Sequence, residues 1–85
     1  MTLLGCLEID GRAVELVWSR VSNTVLADFQ DLEPRRIGTA VFSGRPEPTF
    51  VAQPGHLDWL GYEDRKARIL AAAVRFYQEW RPRPV

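Results

Sequence analysis

His56 is the single histidine of the chain, and it lies two residues before Asp58 in the segment Pro-Gly-His-Leu-Asp-Trp. An imidazole beside a carboxylate or a thiol can act as a general base, so Asp58 and Cys6 are the partners to consider. A catalytic role needs a defined geometry, and a metal site needs further ligands of the same kind. We therefore expect His56 to be a loop residue that helps to cap the helix that follows.

Cys6 is the single cysteine, which excludes an internal disulfide and with it a cysteine-rich secreted scaffold. A nucleophilic thiol needs an electropositive and partly exposed environment. The pattern instead places Glu8 and Glu15 near Cys6. We therefore predict that Cys6 is a buried, unreactive residue that packs as a small hydrophobe.

The common signatures of phosphate binding, dinucleotide binding, hydrolase and zinc-protease chemistry do not occur in the sequence. The adjacent acids Glu63 and Asp64 lie at the start of a predicted helix, where carboxylates stabilise the helix dipole. We therefore predict a protein that is not an enzyme and that uses no cofactor and no metal.

Arginine accounts for ten of the 11 basic residues, and Arg65, Arg68 and Arg75 fall on one side of the predicted C-terminal helix. Such a stripe can contact the phosphates of nucleic acid without sequence preference. It can equally be a solvated face, because Asp64 and Arg68 form a favourable i, i+4 pair and Glu79 lies one turn from Arg75.

Charge is divided unevenly along the chain, although 11 acids balance 11 bases. Residues 1–33 carry six acids and two bases, a net charge of −4, and residues 34–85 carry nine bases and five acids, a net charge of +4. Two interpretations follow. The halves attract each other within the fold or across a dimer, or a basic face is directed at an acidic partner.

A β-hairpin is predicted for residues 3–21, because Asp10-Gly11 stands between two apolar runs. A two-residue turn fixes a register that pairs Leu7 with Val14, Gly5 with Leu16, and Leu3 with Trp18. These residues should face the core. The opposite face then has an apolar end that consists of Leu4, Cys6, Val17 and Val21.

Further strands are predicted at 24–30, 36–43 and 49–53, separated by a break at 31–34 and a Gly/Pro turn at 44–48. Residues 24–30 also fit a short helix. A long helix is predicted over 63–80, ended by Pro82, with an apolar arc of about 160°. Trp80 lies on that arc and should fasten the helix to the sheet, whereas Trp59 is either a second such contact or an exposed anchor for a partner.

The predicted fold is α+β: an antiparallel β-meander of four to five strands with one long C-terminal α-helix packed across one face. Residues 1–80 form a single domain, and 81–85 form a short Pro/Arg tail. One helix covers one face of a sheet, so the apolar end of the second face meets a partner or a second copy, unless the 31–36 loop folds over it.

We expect the protein to act by binding, because the sequence predicts an apolar second sheet face and contains none of the common catalytic signatures. We expect a small protein–protein interaction module, of the kind found among phage and mobile-element inhibitors of host complexes, anti-CRISPR proteins included. A nucleic-acid-binding accessory protein that uses the arginine stripe is the alternative.

No apolar run approaches the roughly 20 residues of a membrane span, and no signal peptide is evident, so a cytoplasmic location is expected. The predicted partner-binding residues are Arg65, Arg68, Arg75, Trp59, Leu4, Val17 and Val21.

Overall fold

A computed structural model describes residues 2–31, 33, 35–42, 47–61 and 63–80. The sheet has five antiparallel strands whose spatial order is their order along the chain. They are β1 (Thr2–Ile9), β2 (Arg12–Ser19), β3 (Thr24–Phe29), β4 (Arg36–Val41) and β5 (Thr49–Ala52). A 3-10 turn at Pro54–His56 leads to helix α1 (Glu63–Trp80), which packs on one side of the sheet against β1 and β3. The predicted α+β meander with one C-terminal helix is confirmed. We call the side of the sheet away from α1 the outer face.

The first hairpin has the predicted turn and, for most of its length, the predicted register. Asp10 and Gly11 have φ values of 49° and 82°, as the two central positions of a type I′ turn require. Leu7 pairs with Val14 and Gly5 with Leu16, but a β-bulge then shifts the register, so that Leu3 pairs with Val17. The predicted pairing of Leu3 with Trp18 is therefore wrong.

The bulge exchanges the positions of two neighbouring leucines. Leu3 is 57% exposed and lies with Val17 on the outer face, whereas Leu4 packs against the buried core. The expectation that Leu4 lies on the second face is thus wrong, because an extra residue in one strand reverses the alternation of side chains beyond it. Gly5 follows the bulge directly. A Cβ at this position would lie 3.0 Å from the ring of Phe76 in α1.

Residues 24–29 form a strand and not the alternative helix. β3 lies at the centre of the sheet, where Val25, Ala27 and Phe29 face the helix and are fully or almost fully buried. A second bulge follows where Asp28 pairs with Arg36, and it buries Ile37 in the core. Strand β4 ends at Val41 and β5 at Ala52, slightly before the predicted ends.

Helix α1 has the predicted bounds. Ile69 and Ala73 are fully buried, and Phe76, Tyr77 and Trp80 pack at the edge of the core. Ala72 is also buried, because the helix lies close to β1. The core between helix and sheet therefore continues to the edge of the sheet. Several predicted features lie outside the described residues: Leu32 and Pro34 of the break, Ser43 at the end of the predicted strand 36–43, residues 44–46 of the turn, and the tail at 81–85.

Candidate functional site

The outer face carries a row of side chains that crosses all five strands. Cross-strand pairing places its members directly opposite one another, from β1 to β5: Leu3, Val17, Leu26, Thr39 and Val51. The two ends are open, with Leu3 57% and Val51 56% exposed, whereas Leu26 at the centre is nearly buried by its neighbours. We call these five residues the outer row. It is an almost wholly apolar strip on the side of the sheet that α1 does not cover.

Charged residues border the outer row on one side, and they neutralise one another. Glu15 on β2 forms an ion pair with Arg35 at 2.8 Å, and Asp28 on β3 pairs with Arg36 on β4. Arg35 belongs to the 31–36 loop, and its side chain also donates to the Phe29 carbonyl at 2.8 Å. This loop therefore reaches the outer face beside the outer row, at its charged border.

Hydroxyl groups border the outer row on the other side. Ser19 and Thr24 pair across β2 and β3, and the Ser22 hydroxyl lies 2.8 Å from that of Thr24 and 3.3 Å from that of Ser19. The polar groups of this border thus bond to one another. The outer row is therefore an apolar strip that lies between a border of paired charges and a border of hydroxyl groups.

Sequence reasoning found one member of the outer row and missed three of its apolar members. Val17 lies in the row as predicted, but Val21, although 99% exposed, lies in the turn beyond β2. Leu3 was missed because the pattern does not reveal the bulge. Leu26 and Val51 could have been found by continuing the alternation of Val17 through the next strands, since residues directly opposite share a face.

The predicted arginine stripe is divided by its contacts. Arg65 is partly buried: it donates to Asp10 at 2.9 Å and to the Trp59 carbonyl at 2.6 Å, and its guanidinium lies 4.9 Å from the centre of the Trp59 ring. Arg68 pairs with Asp64 at 3.3 Å. Arg75 lies over the Phe76 ring at 4.8 Å. Arg65 therefore ties the helix to the first hairpin, and Arg68 also lies 4.0 Å from Asp10 of that hairpin. Among the described residues, Arg75 is the member of the stripe without an ion pair.

Trp59 is half-buried in an aromatic cluster at one end of the sheet. Its ring meets Phe29 edge to face at 5.0 Å, and the Arg65 guanidinium lies over it. At the opposite end, Trp80 packs on Trp18 at 4.6 Å, and Tyr77 stacks on Phe42 at 4.4 Å. Trp59 and Trp80 thus both fasten α1 and the segment before it to the sheet.

The groups that could do chemistry are not brought together. His56 lies in the same aromatic cluster, edge to face with Phe29 at 5.1 Å, and its Nε2 atom is buried without a hydrogen-bond partner among the described residues. Cys6 is exposed on the outer face opposite Glu15, so the prediction that it is buried is wrong. Its strand, β1, is an edge strand of the described sheet. The arrangement offers no base–nucleophile pair between these two residues.

The buried Nε2 atom of His56 leads to a stability prediction. Replacing His56 by Phe keeps the edge contact with Phe29 and removes a buried polar atom that lacks a partner. We expect the free energy of unfolding to stay unchanged or to rise by about 1 kcal/mol, measured by urea denaturation. His56→Asn, which loses the ring and keeps polar atoms, should be less stable than both. A loss of more than about 1 kcal/mol in His56→Phe would contradict the geometry.

Two further observations concern the described part of the chain. It contains no group of three or more His, Cys, Asp or Glu side chains placed to hold a metal ion. Its one long helix, α1, is not apolar enough to cross a membrane, and no other helix in the described ranges has the length.

The chain matches no protein-family model, no curated protein and no solved structure.

Proposed function

We propose that this chain is a non-enzymatic protein–protein interaction module that binds its partner through the outer face. The observation that carries the proposal is the outer row, an apolar strip that crosses the whole sheet and ends in two side chains that are more than half exposed. Single exposed apolar residues are ordinary, but a contiguous strip across a sheet is typical of an interaction surface.

The proposed occupant is a larger protein of a different kind. Five strands about 4.8 Å apart make a row of about 19 Å, and strands of six residues are about 20 Å long. The face then offers about 400 Å² for each partner, or about 800 Å² in a symmetric pair, where stable interfaces bury about 1,200–2,000 Å². A partner that also contacts the rim of the sheet reaches that area, whereas a second copy on this face alone does not.

Charge on the outer face supports a protein partner over nucleic acid. Glu15 with Arg35 and Asp28 with Arg36 form a border without net charge. A phosphate backbone would need unpaired cations along its path, whereas an apolar, uncharged protein surface complements the outer row. Arg65, the first member of the helix stripe, is already bound to Asp10 and to the Trp59 carbonyl.

In its most specific form, the proposal is that of a phage or mobile-element inhibitor, like anti-CRISPR proteins, which acts by covering a surface of a host complex. The outer row supports this form, since occlusion requires a contact surface and no reaction.

Acidic substitutions at the two ends of the outer row test the proposal. Leu3→Glu and Val51→Glu each place an unpaired charge in the interface and should weaken partner binding at least about tenfold. Leu57→Glu is the matched control, because Leu57 is 53% exposed and follows the 3-10 turn, outside the strands that form the outer row. Each variant is tagged, incubated with nuclease-treated host lysate, and its bound proteins are quantified by mass spectrometry.

The expected result is one stoichiometric partner that Leu57→Glu retains and the two outer-row variants lose. Capture that disappears with nuclease, or that none of these substitutions changes, would overturn the proposal. Light scattering of the chain alone completes the test: a monomer is expected, and a dimer that Val51→Glu dissociates would assign the outer face to a second copy instead.

A further inference from the structure

β1 is an edge strand, so one side of its backbone is open. Among the strands that the structure describes, only β2 pairs with it. In a two-residue hairpin the closing pair, here Ile9 with Arg12, exchanges both hydrogen bonds, and the bonded pairs then alternate along the ladder. Leu7 and Gly5 therefore bond to β2, and the backbone N–H and C=O groups of Cys6 and Glu8 point away from the sheet.

A groove of about 360 Å³ runs beside this open edge, between β1 and α1. Its apolar lining comes from Leu7 and Ile9 on the strand and from Ala71 and Ala72 on the helix. Glu8 also lines the groove, and its side chain alternates with those of Leu7 and Ile9 toward the outer face. The two alanines have short side chains, so the helix leaves room for an additional chain beside β1. An edge strand next to a helix-lined groove is the arrangement that accepts an extended peptide by β-strand addition.

Two arginines stand along the helix side of the groove. Arg68 and Arg75 are seven residues apart, which places them on one face of α1 about 10.5 Å from each other. Arg68 is paired with Asp64, whereas no ion pair within the described ranges involves Arg75. The Arg75 guanidinium lies on the Phe76 ring, which faces Gly5 of β1. It is therefore held beside the edge strand and can donate hydrogen bonds to a carboxylate.

We infer that the groove between β1 and α1 binds an extended acidic peptide segment of a partner protein as a sixth strand of the sheet. The peptide backbone bonds to Cys6 and Glu8, one apolar side chain enters the groove against Leu7 and Ala72, and a carboxylate pairs with Arg75. The bulge at Leu3/Gly5 limits regular pairing to the second half of β1. This site lies at the sheet edge and does not depend on the outer face proposed above.

A phage-displayed library of random linear octapeptides, selected against the full chain, tests this inference. We expect enriched peptides to carry Asp or Glu together with an apolar residue at alternating positions. Arg75→Glu should weaken the selected peptide at least about tenfold and shift the selection to Lys or Arg. Lys66→Glu is the matched control, because it reverses an exposed charge on the same helix away from the groove.

Hydrogen exchange locates the bound peptide. The amides of Cys6 and Glu8 should gain protection when a selected peptide is added, and Leu3→Glu should leave peptide affinity unchanged. The second result separates this site from the outer face, so either can fail alone. A selection without enrichment, a consensus without acidic residues, equal effects of Arg75→Glu and Lys66→Glu, or protection that omits these two amides would overturn the inference.

Discussion

Phe29→Ala should lower the free energy of unfolding by about 3–5 kcal/mol, the range for truncation of a buried aromatic side chain. Phe29 is fully buried at the end of the central strand. Its ring meets His56 and Trp59 edge to face, at 5.1 and 5.0 Å, and the guanidinium of Arg12 lies over it at 4.8 Å. Truncation therefore removes the contact that joins the sheet to the segment before α1.

The backbone hydrogen bonds of Phe29 remain in the alanine variant, so the loss of stability measures the contribution of the ring. The Phe29 amide donates to the Arg35 carbonyl at 2.7 Å, and its carbonyl accepts from the Arg35 side chain at 2.8 Å. Both bonds are available to alanine. Phe42→Ala is the control, because Phe42 is half-buried and its ring stacks only at the margin of the core, on Tyr77. It should cost about 1–2 kcal/mol.

Urea denaturation followed by tryptophan fluorescence measures both variants. A domain of this size has a total stability of about 5–10 kcal/mol. Phe29→Leu is therefore measured beside Phe29→Ala, because it should cost about 1–2 kcal/mol and remain folded. Equal losses in Phe29→Ala and Phe42→Ala would contradict the central position of Phe29.

The elements of this fold were predictable because each has a local signal. Asp10-Gly11 has the residue types of a type I′ turn, and the apolar arc of residues 63–80 has a helical period. The strand at 24–29 was less certain from sequence, since Val25 and Phe29 suit a helix as well as a strand. Pairing with β2 and β4 on both sides decides it, and that pairing is a long-range property.

The candidate site was predictable only in part, because it depends on register. Val17 was placed on the second face, but the bulge puts Leu3 there in place of Leu4. Leucine occupies both positions, so composition carries no information about which one points outward. A register shift of one residue exchanges the two faces of a strand. Gly5 is the one residue near this bulge that could have indicated it, and glycine occurs in strands for several other reasons as well.

Side-chain contacts between segments far apart in the chain could not be predicted from the sequence. Arg65 reads as a solvated helix residue, yet it bonds to Asp10, 55 positions earlier in the chain. Arg75 is also an arginine of the predicted stripe, but it lies beside the free edge of β1. The difference arises from where α1 lies on the sheet, which no single-helix pattern contains.

Gly38→Ala should lower the free energy of unfolding by about 3 kcal/mol, the upper part of the range for overpacking. Gly38 lies on β4 opposite Ala27 and Ala52. A Cβ at this position would collide with the Phe50 ring and lie 2.7 Å from the Val51 carbonyl oxygen. The ring can rotate away, but the carbonyl belongs to the backbone of β5, so the strand itself has to move.

Gly55→Ala is the matched control, because a Cβ at Gly55 has no atom within 4 Å. Its stability should change by less than about 0.5 kcal/mol. A double variant, Gly38→Ala with Phe50→Ala, separates the two collisions. If the ring dominates, the double variant regains stability relative to the sum of the single losses; if the Val51 carbonyl dominates, it does not. We expect little recovery. Displacement of β5 also moves Val51, one end of the outer row, so Gly38→Ala should weaken partner capture along with stability, whereas Gly55→Ala should alter neither.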